Sequence, residues 1–473
     1  MADDAVVLLG MLRLSEQGTA CALRDRVPLS LLCCVFALLD ARSHCGLARA
    51  AHHFGRASRL PEASCHDVAV KWCQPTARLK QCVQSQRPRI VRMEGRAVRG
   101  FTRAVCAWLA PVTQLHTLRI RPMPLHDLQD LSALVSLRHL LIDAPNTASL
   151  GMALHACGPR LQTLRVSRVD ALNISADISV YVGDLEARTT VAKQLAACTE
   201  LESLGLQEVF HMSDVVGSLC RIPLPALRCL SVVQAGSTTD DFSHLSMHTN
   251  LTRLCHHVDS PPATRSKWPA LPNLRVLDLG SSEFSHDHEA MCRAFPLLGS
   301  LRMASDSPLQ LACFASLVEL TIVVPSCLGW HYFADQVARL LQACTRLVRL
   351  GVQSFRDTHD KPECEWSMPH VSALTLCLLP CAYPRIRAPA LRSLRILDAP
   401  PETLAQIVSD SALLETVECF TPCRQVPDGA LAAALATAVG RTAGRVRVTH
   451  RSAPMDLGSA YCDRSLAPTD NWS

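Results

Sequence analysis

Few of the features that mark an enzyme, a membrane protein or a nucleic-acid binder occur in these 473 residues. There is no Gly-rich phosphate loop, no dinucleotide fingerprint and no Gly-x-Ser-x-Gly. The sequence therefore carries no motif for phosphoryl, hydride or acyl transfer, and neither catalytic residues nor a cofactor are expected. No Cys-x-x-Cys is found among the 23 cysteines, which removes the common zinc and redox spacings. The pairs Cys377/Cys381 and Cys419/Cys423 lack histidines at ligand spacing. His286-Asp287-His288 reads as a loop, so no metal site is expected. Lysine is scarce, 5 residues against 42 arginines, as the codon composition of a GC-rich genome would produce. Aromatics make up 4% and the net charge is only +5. That combination gives neither a stacking platform nor a strongly basic surface, so nucleic acid is not an expected partner.

Long apolar runs are missing too. Residues 27–39 and 429–440 are among the longest stretches without charge, and both are too short to span a bilayer. Asp3 and Asp4 stand where a secretory leader needs positive charge, and no small-residue cleavage site follows. No membrane association is expected. The cysteines fit a reducing compartment, cytoplasmic or nuclear. The sequons at Asn173, Asn250 and Asn471 then carry no meaning. Apolar residues at 48% and a mean hydropathy of +0.15 indicate a folded chain.

What is present is repetition. The phrase Leu-x-x-Leu-x-(Leu/Ile/Val/Met) begins as Leu115-His116-Thr117-Leu118-Arg119-Ile120. It recurs at 137–142, 161–166, 201–206, 227–232, 251–256, 274–279, 298–303, 317–322, 347–352, 371–376, 391–396 and 414–419, with His256 and Cys419 as variant sixth residues. The thirteen copies have a mean step of about 25 residues, inside the 20–29 window of leucine-rich repeats. Apolar fourth and sixth residues flanking a freer fifth are strand alternation. Segments between phrases, clearest at 191–198 and 337–344, have helical periodicity. A strand and a helix every 25 residues must stack on their neighbours to bury both apolar faces. The expected fold is an α/β leucine-rich-repeat solenoid, a horseshoe with parallel strands on the concave side and helices on the convex side.

The array is irregular. A 40-residue step between Leu161 and Leu201 implies an insertion near 173–186. Pro145, Val169 and Ser282 replace the asparagine usual at the ninth position. Residues 90–93 and 445–448 read as degenerate outer strands. Arg89, Arg92, Arg96, Arg99 and Arg103 would share one helix face, but Gly95 and Gly100 argue against a continuous helix.

Cys198 and Cys344 close helices three residues before a phrase, with Cys157 placed similarly. In this the array resembles the cysteine-containing repeat subtype of F-box proteins. Residues 27–54 strengthen the resemblance without a gap. Pro28, Leu31, Leu32, Phe36, Leu39, Asp40, Arg42, Leu47, Ala48 and Arg49 match the F-box pattern. Val27 and Val35 are conservative replacements, and Phe54 stands where tryptophan is usual. Ala50 and Ala51 replace Val and Cys, and Cys45 and Gly46 depart from the pattern; Trp72 could serve as a downstream element. The residues themselves read as two short amphipathic helices, with stripes Leu32/Val35/Phe36/Leu39 and Leu47/Ala50/Ala51/Phe54. Their apolar surface exceeds what so short a segment can bury, which suits a partner or a cap on the first repeat.

The domain reading is an extension at 1–26, an all-α F-box-like segment at 27–72, a linker with a cap or first degenerate repeat at 73–110, the array at 111–450 and a tail at 451–473. The resemblance implies a substrate-recruiting subunit of an SCF-type cullin-RING ubiquitin ligase, non-enzymatic itself. Pro28, Leu32, Val35, Phe36, Leu39, Leu47 and Phe54 would contact a Skp-like adaptor of the cullin complex. The alternative is a repeat scaffold or regulator with no ubiquitin role. In either case the partner-binding candidates are Arg119, Arg165, Arg253, Arg302, Arg349 and Arg395, at outward positions of the concave face. Against Asp278, Glu319 and Glu418, they favour an acidic or phosphorylated protein.

Overall fold

A computed structural model of the chain describes residues 67–71, 90–94, 109–121, 128–143, 147–167, 191–207, 222–234, 242–258, 268–280, 287–305, 307–314, 316–324, 329–354, 364–378, 383–397, 399–422 and 447–453. The chain divides into two compact units, Met1–Leu227 and Arg228–Ser473. In the first, β1 (Asp67–Lys71), β2 (Ile90–Glu94), β3 (Thr117–Arg121), β4 (His139–Asp143), β5 (Thr163–Ser167) and β6 (Ser203–Gln207) pair in parallel, in sequence order. The second begins with β7 (Cys229–Gln234), β8 (Arg253–Val258), β9 (Val276–Asp278), β10 (Ser300–Ala304), β11 (Glu319–Val323) and β12 (Arg349–Gln353). It continues past β13 (Glu365–Ser367) to β14 (Ala373–Cys377), and past β15 (Arg385–Arg387) to β16 (Ser393–Leu397), β17 (Thr416–Pro422) and β18 (Arg447–Ala453). Apart from β13 and β15, these strands also pair in parallel, each with the next.

Each of the thirteen phrases forms one strand, and each strand opens on the third residue of its phrase. The reason is visible in burial. The first and fourth residues are at most 2% exposed in every copy, and the sixth at most 3% except at the half-buried His256. Three apolar ladders therefore run through each unit, and the fifth residue is left on the other side of the sheet. At roughly 1.5–3 kcal/mol per buried side chain, these ladders are the main stabilising contribution.

Backbone groups are satisfied in two recurrent ways. A tight turn precedes the strand, in which the amide of the first leucine donates to the carbonyl three residues earlier. Leu201 N to Cys198 O is 3.1 Å, and Leu347 N to Cys344 O is 3.2 Å. The carbonyl of the second residue then accepts two amides from the next repeat. Arg228 O takes Thr252 N at 2.8 Å and Arg253 N at 3.0 Å. This stitching involves no side chain and so tolerates the varied second residues. Pro145, Val169 and Ser282 lie outside the described residues.

Between the strands in sequence lie α1 (Thr147–Cys157), α2 (His288–Ala294), α3 (Trp330–Ala343), α4 (Pro401–Asp410) and several 3-10 turns. Residues 191–196 are also helical. The helices expected at 191–198 and 337–344 are thus present. Two connections differ from the expected helix. β13 and β15 pair in parallel with each other, and each buries only its central residue, Trp366 or Ile386. Pro369, Pro384 and Pro389 bracket these short segments and disfavour helix. The Trp366 indole donates to Ala334 O in α3 at 3.0 Å. The Gln406 amide of α4 donates to Ile386 O at 2.6 Å.

The ends also differ in part. Residues 90–93 are strand, as expected, which excludes a helix-borne arginine stripe through Arg92. β1 precedes them, so the all-α expectation for 27–72 does not reach its last residues. At the other end β18 carries the sheet to Ala453.

Candidate partner-binding face

Parallel register turns the phrase into columns across each sheet. In the first unit the fifth positions fall at Arg92, Arg119, Leu141, Arg165 and Gly205, each beside the next. This column carries three arginines and no carboxylate. Arg119 and Arg165 are partly exposed. A Cβ on Gly205 would lie 3.1 Å from Arg165 Cγ, so glycine lets the Arg165 stem lie across the neighbouring strand. In the third column, His139 Nδ1 is 3.0 Å from Thr163 Oγ1. Burial lowers the His139 pKa from 6.5, helped by His116 and Arg138 and opposed by Glu202.

The second unit is built differently. Its fifth column reads Ser231, Cys255, Asp278, Arg302, and later Thr375, Arg395, Glu418. Each acid expected on this face stands in register with one of the expected arginines. Arg395 Nε is 2.9 Å from Glu418 Oε2, Arg349 Nη1 is 3.8 Å from Glu319 Oε2, and Arg302 Nη1 is 3.6 Å from Asp278 Oδ2. The excess of arginine over acid is therefore not spread evenly over the array. Arg349 is exposed, Arg253 and Arg395 partly so, and Arg302 only 8% exposed. Arg302 was expected to meet a partner; the guanidinium instead folds onto its neighbour strand, against Asp278.

Asp278 also anchors a cluster. Cys255 and Asp278 are register neighbours on β8 and β9, and His257 follows Cys255 by two residues on the same face. His257 Nε2 is 2.8 Å from Asp278 Oδ1 and 3.4 Å from Cys255 Sγ. Gly280 N donates to Asp278 Oδ1 at 3.0 Å. Gly280 has φ +64°, and a Cβ there would lie 2.9 Å from the His257 ring. Glycine is required on both counts. Burial by itself would raise the Asp278 pKa. The hydrogen bond and charge of His257, the charge of Arg302 and the Gly280 amide outweigh it and hold the carboxyl below its usual 3.8. Both contacts of the imidazole use Nε2. A Cys–His–acid relay needs the thiol and the acid on opposite ring nitrogens.

Cys-x-His is not a familiar ligand spacing, so this cluster does not stand out in the sequence. The available signal was positional. Cys255 and Asp278 are both fifth residues of consecutive phrases, and such residues become register neighbours.

Other sequence candidates are structural. Cys157 and Cys198 are fully buried, and their thiols donate to the carbonyls four residues earlier, Ala153 O at 3.0 Å and Gln194 O at 3.4 Å. Burial pushes both up to about 12, so they stay protonated and inert. All described cysteines are free thiols. The slot three residues before a phrase takes Cys198 and Cys344, but also Leu134, Phe295, Met368 and Ser411. His288 is buried in α2 with Nδ1 2.8 Å from Gln310 Oε1, while Asp287 caps that helix. His286, Cys381 and Cys423 lie outside the described residues, as do Pro28, Leu32, Val35, Phe36, Leu39, Leu47, Phe54 and the insertion at 173–186. Among the described residues no helix is long and apolar enough to cross a membrane.

No family model and no curated protein matches the chain. Among solved structures it is similar to a chain of the Rad7–Elc1 complex of yeast, at 14% identity and a TM-score of 0.34 over 91% of each chain. It is similar to a leucine-rich-repeat protein of Leptospira interrogans, at 12% identity and TM-score 0.33 over 86% of this chain and 94% of that one. A chain of the Drosophila Toll–Spätzle complex is 12% identical with TM-score 0.33, over 82% of this chain and 51% of the other. The leucine-rich-repeat assignment rests on this chain's own phrase, ladders and register.

Proposed function

We propose that the chain is a non-enzymatic recruiting subunit that holds a protein target on the strand face of its repeats. The observation that carries this reading is the column structure. Residues three and five of successive phrases stand side by side at the spacing of neighbouring strands, about 4.8 Å, and can vary without disturbing the ladders beneath. Such a face suits an extended protein surface better than a small molecule. Arg119 and Arg165, in the fifth column, favour an acidic or phosphorylated target, since a guanidinium grips carboxylate or phosphate at two points.

The finer part of the proposal rests on the F-box resemblance at residues 27–54. By it, Pro28, Leu32, Val35, Phe36, Leu39, Leu47 and Phe54 dock on a Skp-like adaptor, and the complex is an SCF-type cullin-RING ligase acting in cytoplasm or nucleus. The chain then brings a target lysine to a ubiquitin-charged enzyme without making a bond itself. The test is co-purification of the intact chain, and of a Val35→Asp/Leu39→Asp variant, with the host Skp-like adaptor. Stoichiometric capture by the intact chain, lost in a variant of unchanged melting, is the expected result. A folded intact chain that captures no adaptor leaves a repeat scaffold without a ubiquitin role.

A further inference from the structure

We propose that Cys255, His257 and Asp278 form a binding site for a zinc-class divalent ion on the strand face of the second unit. The inference does not depend on the identity of the protein target. Three ligand atoms, one from each residue, lie within 4.8 Å of one another. Their convergence is imposed by the backbone. Register places Cys255 beside Asp278, and strand alternation returns His257 to the same face two residues on. Gly280 then clears the space that the imidazole occupies. A thiolate, an imidazole and a carboxylate suit zinc and its neighbours, whereas magnesium and calcium prefer all-oxygen sets.

Two of the three ligand spacings already lie near those around a bound ion. Tetrahedral zinc with ordinary bond lengths sets nitrogen and oxygen ligands about 3.3 Å apart and sulfur and nitrogen about 3.6 Å apart. Nε2–Oδ1 is 2.8 Å and Sγ–Nε2 is 3.4 Å. The His–Asp contact opens by roughly half an ångström to admit the ion. Binding exchanges protons for metal. The Cys255 S–H proton passes to solvent, the imidazole keeps one ring proton, on Nδ1, so that Nε2 can bind as a neutral ligand, and three bonds to the ion replace the S–H···N and N···O contacts. Asp278 keeps its second oxygen toward Arg302, whose guanidinium lies 3.6 Å away, while the Gly280 amide fixes the first. These outer contacts aim the carboxylate. His257 and Asp278 side chains are 17% and 21% exposed, so the ion can enter and water can take the fourth position. One thiolate, one carboxylate, one guanidinium and the dication sum to a single positive charge.

The full chain, stripped of metal, is titrated with cobalt(II) and then challenged with zinc(II). The expected result is one cobalt per chain with a thiolate-to-metal charge-transfer band, proton release in weak buffer, and displacement by zinc. Cys255→Ser abolishes the band. Cys255→Ser and Asp278→Asn each weaken zinc by roughly 100-fold or more, beyond the roughly 10–100-fold that outer partners contribute. Gly280→Ala alters no ligand and weakens zinc roughly tenfold by displacing His257. Asp278→Asn and Gly280→Ala decide the question if Cys255→Ser does not fold. An intact chain without a thiolate band overturns the proposal. So does a band that survives Cys255→Ser, which would assign it to other cysteines, or a zinc affinity indifferent to Asp278→Asn.

Discussion

The two units have the same interior and different faces. In both, the first, fourth and sixth residues of each phrase are buried, the half-buried His256 excepted, and the same turn and double-acceptor carbonyl join the repeats. Outside, the fifth column of the first unit carries Arg92, Arg119 and Arg165 with no carboxylate in register. The second unit sets Asp278, Glu319 and Glu418 each beside an arginine on an adjacent strand. Ladder chemistry makes the fold, and column chemistry sets the charge pattern of each face. By this comparison the fifth column of the second unit sets acid beside arginine, whereas that of the first sets Arg119 and Arg165 beside Leu141, with Gly205 next to Arg165.

The largest effects should fall on the shared interior. Leu164→Ala in the first unit and Leu320→Ala in the second should each cost about 2–5 kcal/mol, read by urea denaturation. A loss far smaller in one unit would mean its ladder is not equivalent to the other. Next come glycines. Gly280→Ala should lose about 1–2 kcal/mol, from its left-handed backbone and its contact with His257. Gly299→Ala meets nothing nearer than 3.9 Å and should be neutral or gain up to about 1 kcal/mol.

The third contrast is pH. Burial holds the folded His139 pKa below 6.5. Stability of the first unit should be intact above that value and fall as pH drops through it, because the unfolded chain takes the proton more readily. His139→Gln should flatten that part of the profile, whereas a slope unchanged by the substitution would assign it to another group. The smallest effects belong to the ion pairs. Double-mutant cycles on Arg349–Glu319 and Arg395–Glu418 should give no more than about 1 kcal/mol each, since both are partly exposed. Arg119→Ala should leave stability nearly unchanged.

Phrase spacing was enough to place all thirteen strands, because a fixed apolar period allows only one register; that each opens on the third residue of its phrase came from the structure. Residues 90–93 are strand but second to β1, and the strand expected at 445–448 begins, among the described residues, at Arg447 and runs on to Ala453. β13 and β15 were not legible in the sequence. Each is three residues long, and their strand character comes from α3 and α4, which grip Trp366 and Ile386 from another part of the chain. The six arginines stand at third and fifth positions of their phrases. Whether each meets an acid depends on the neighbouring strand about 25 residues away, which becomes visible only once phrases are aligned by phase. The Cys255–His257–Asp278 cluster was missed for that reason. Cys198 and Cys344, read as packing residues, do close the turns before their strands.

The most direct test of the contrast between faces is capture of a phosphoserine and phosphothreonine peptide library by the full chain. The intact protein is compared with Arg119→Glu/Arg165→Glu and with Arg349→Glu/Arg395→Glu, each checked for unchanged melting. The account predicts capture that weakens with salt, is lost in the first-unit variant and persists in the second-unit variant. Capture lost equally in both variants, or lost only in the second-unit variant, would contradict it.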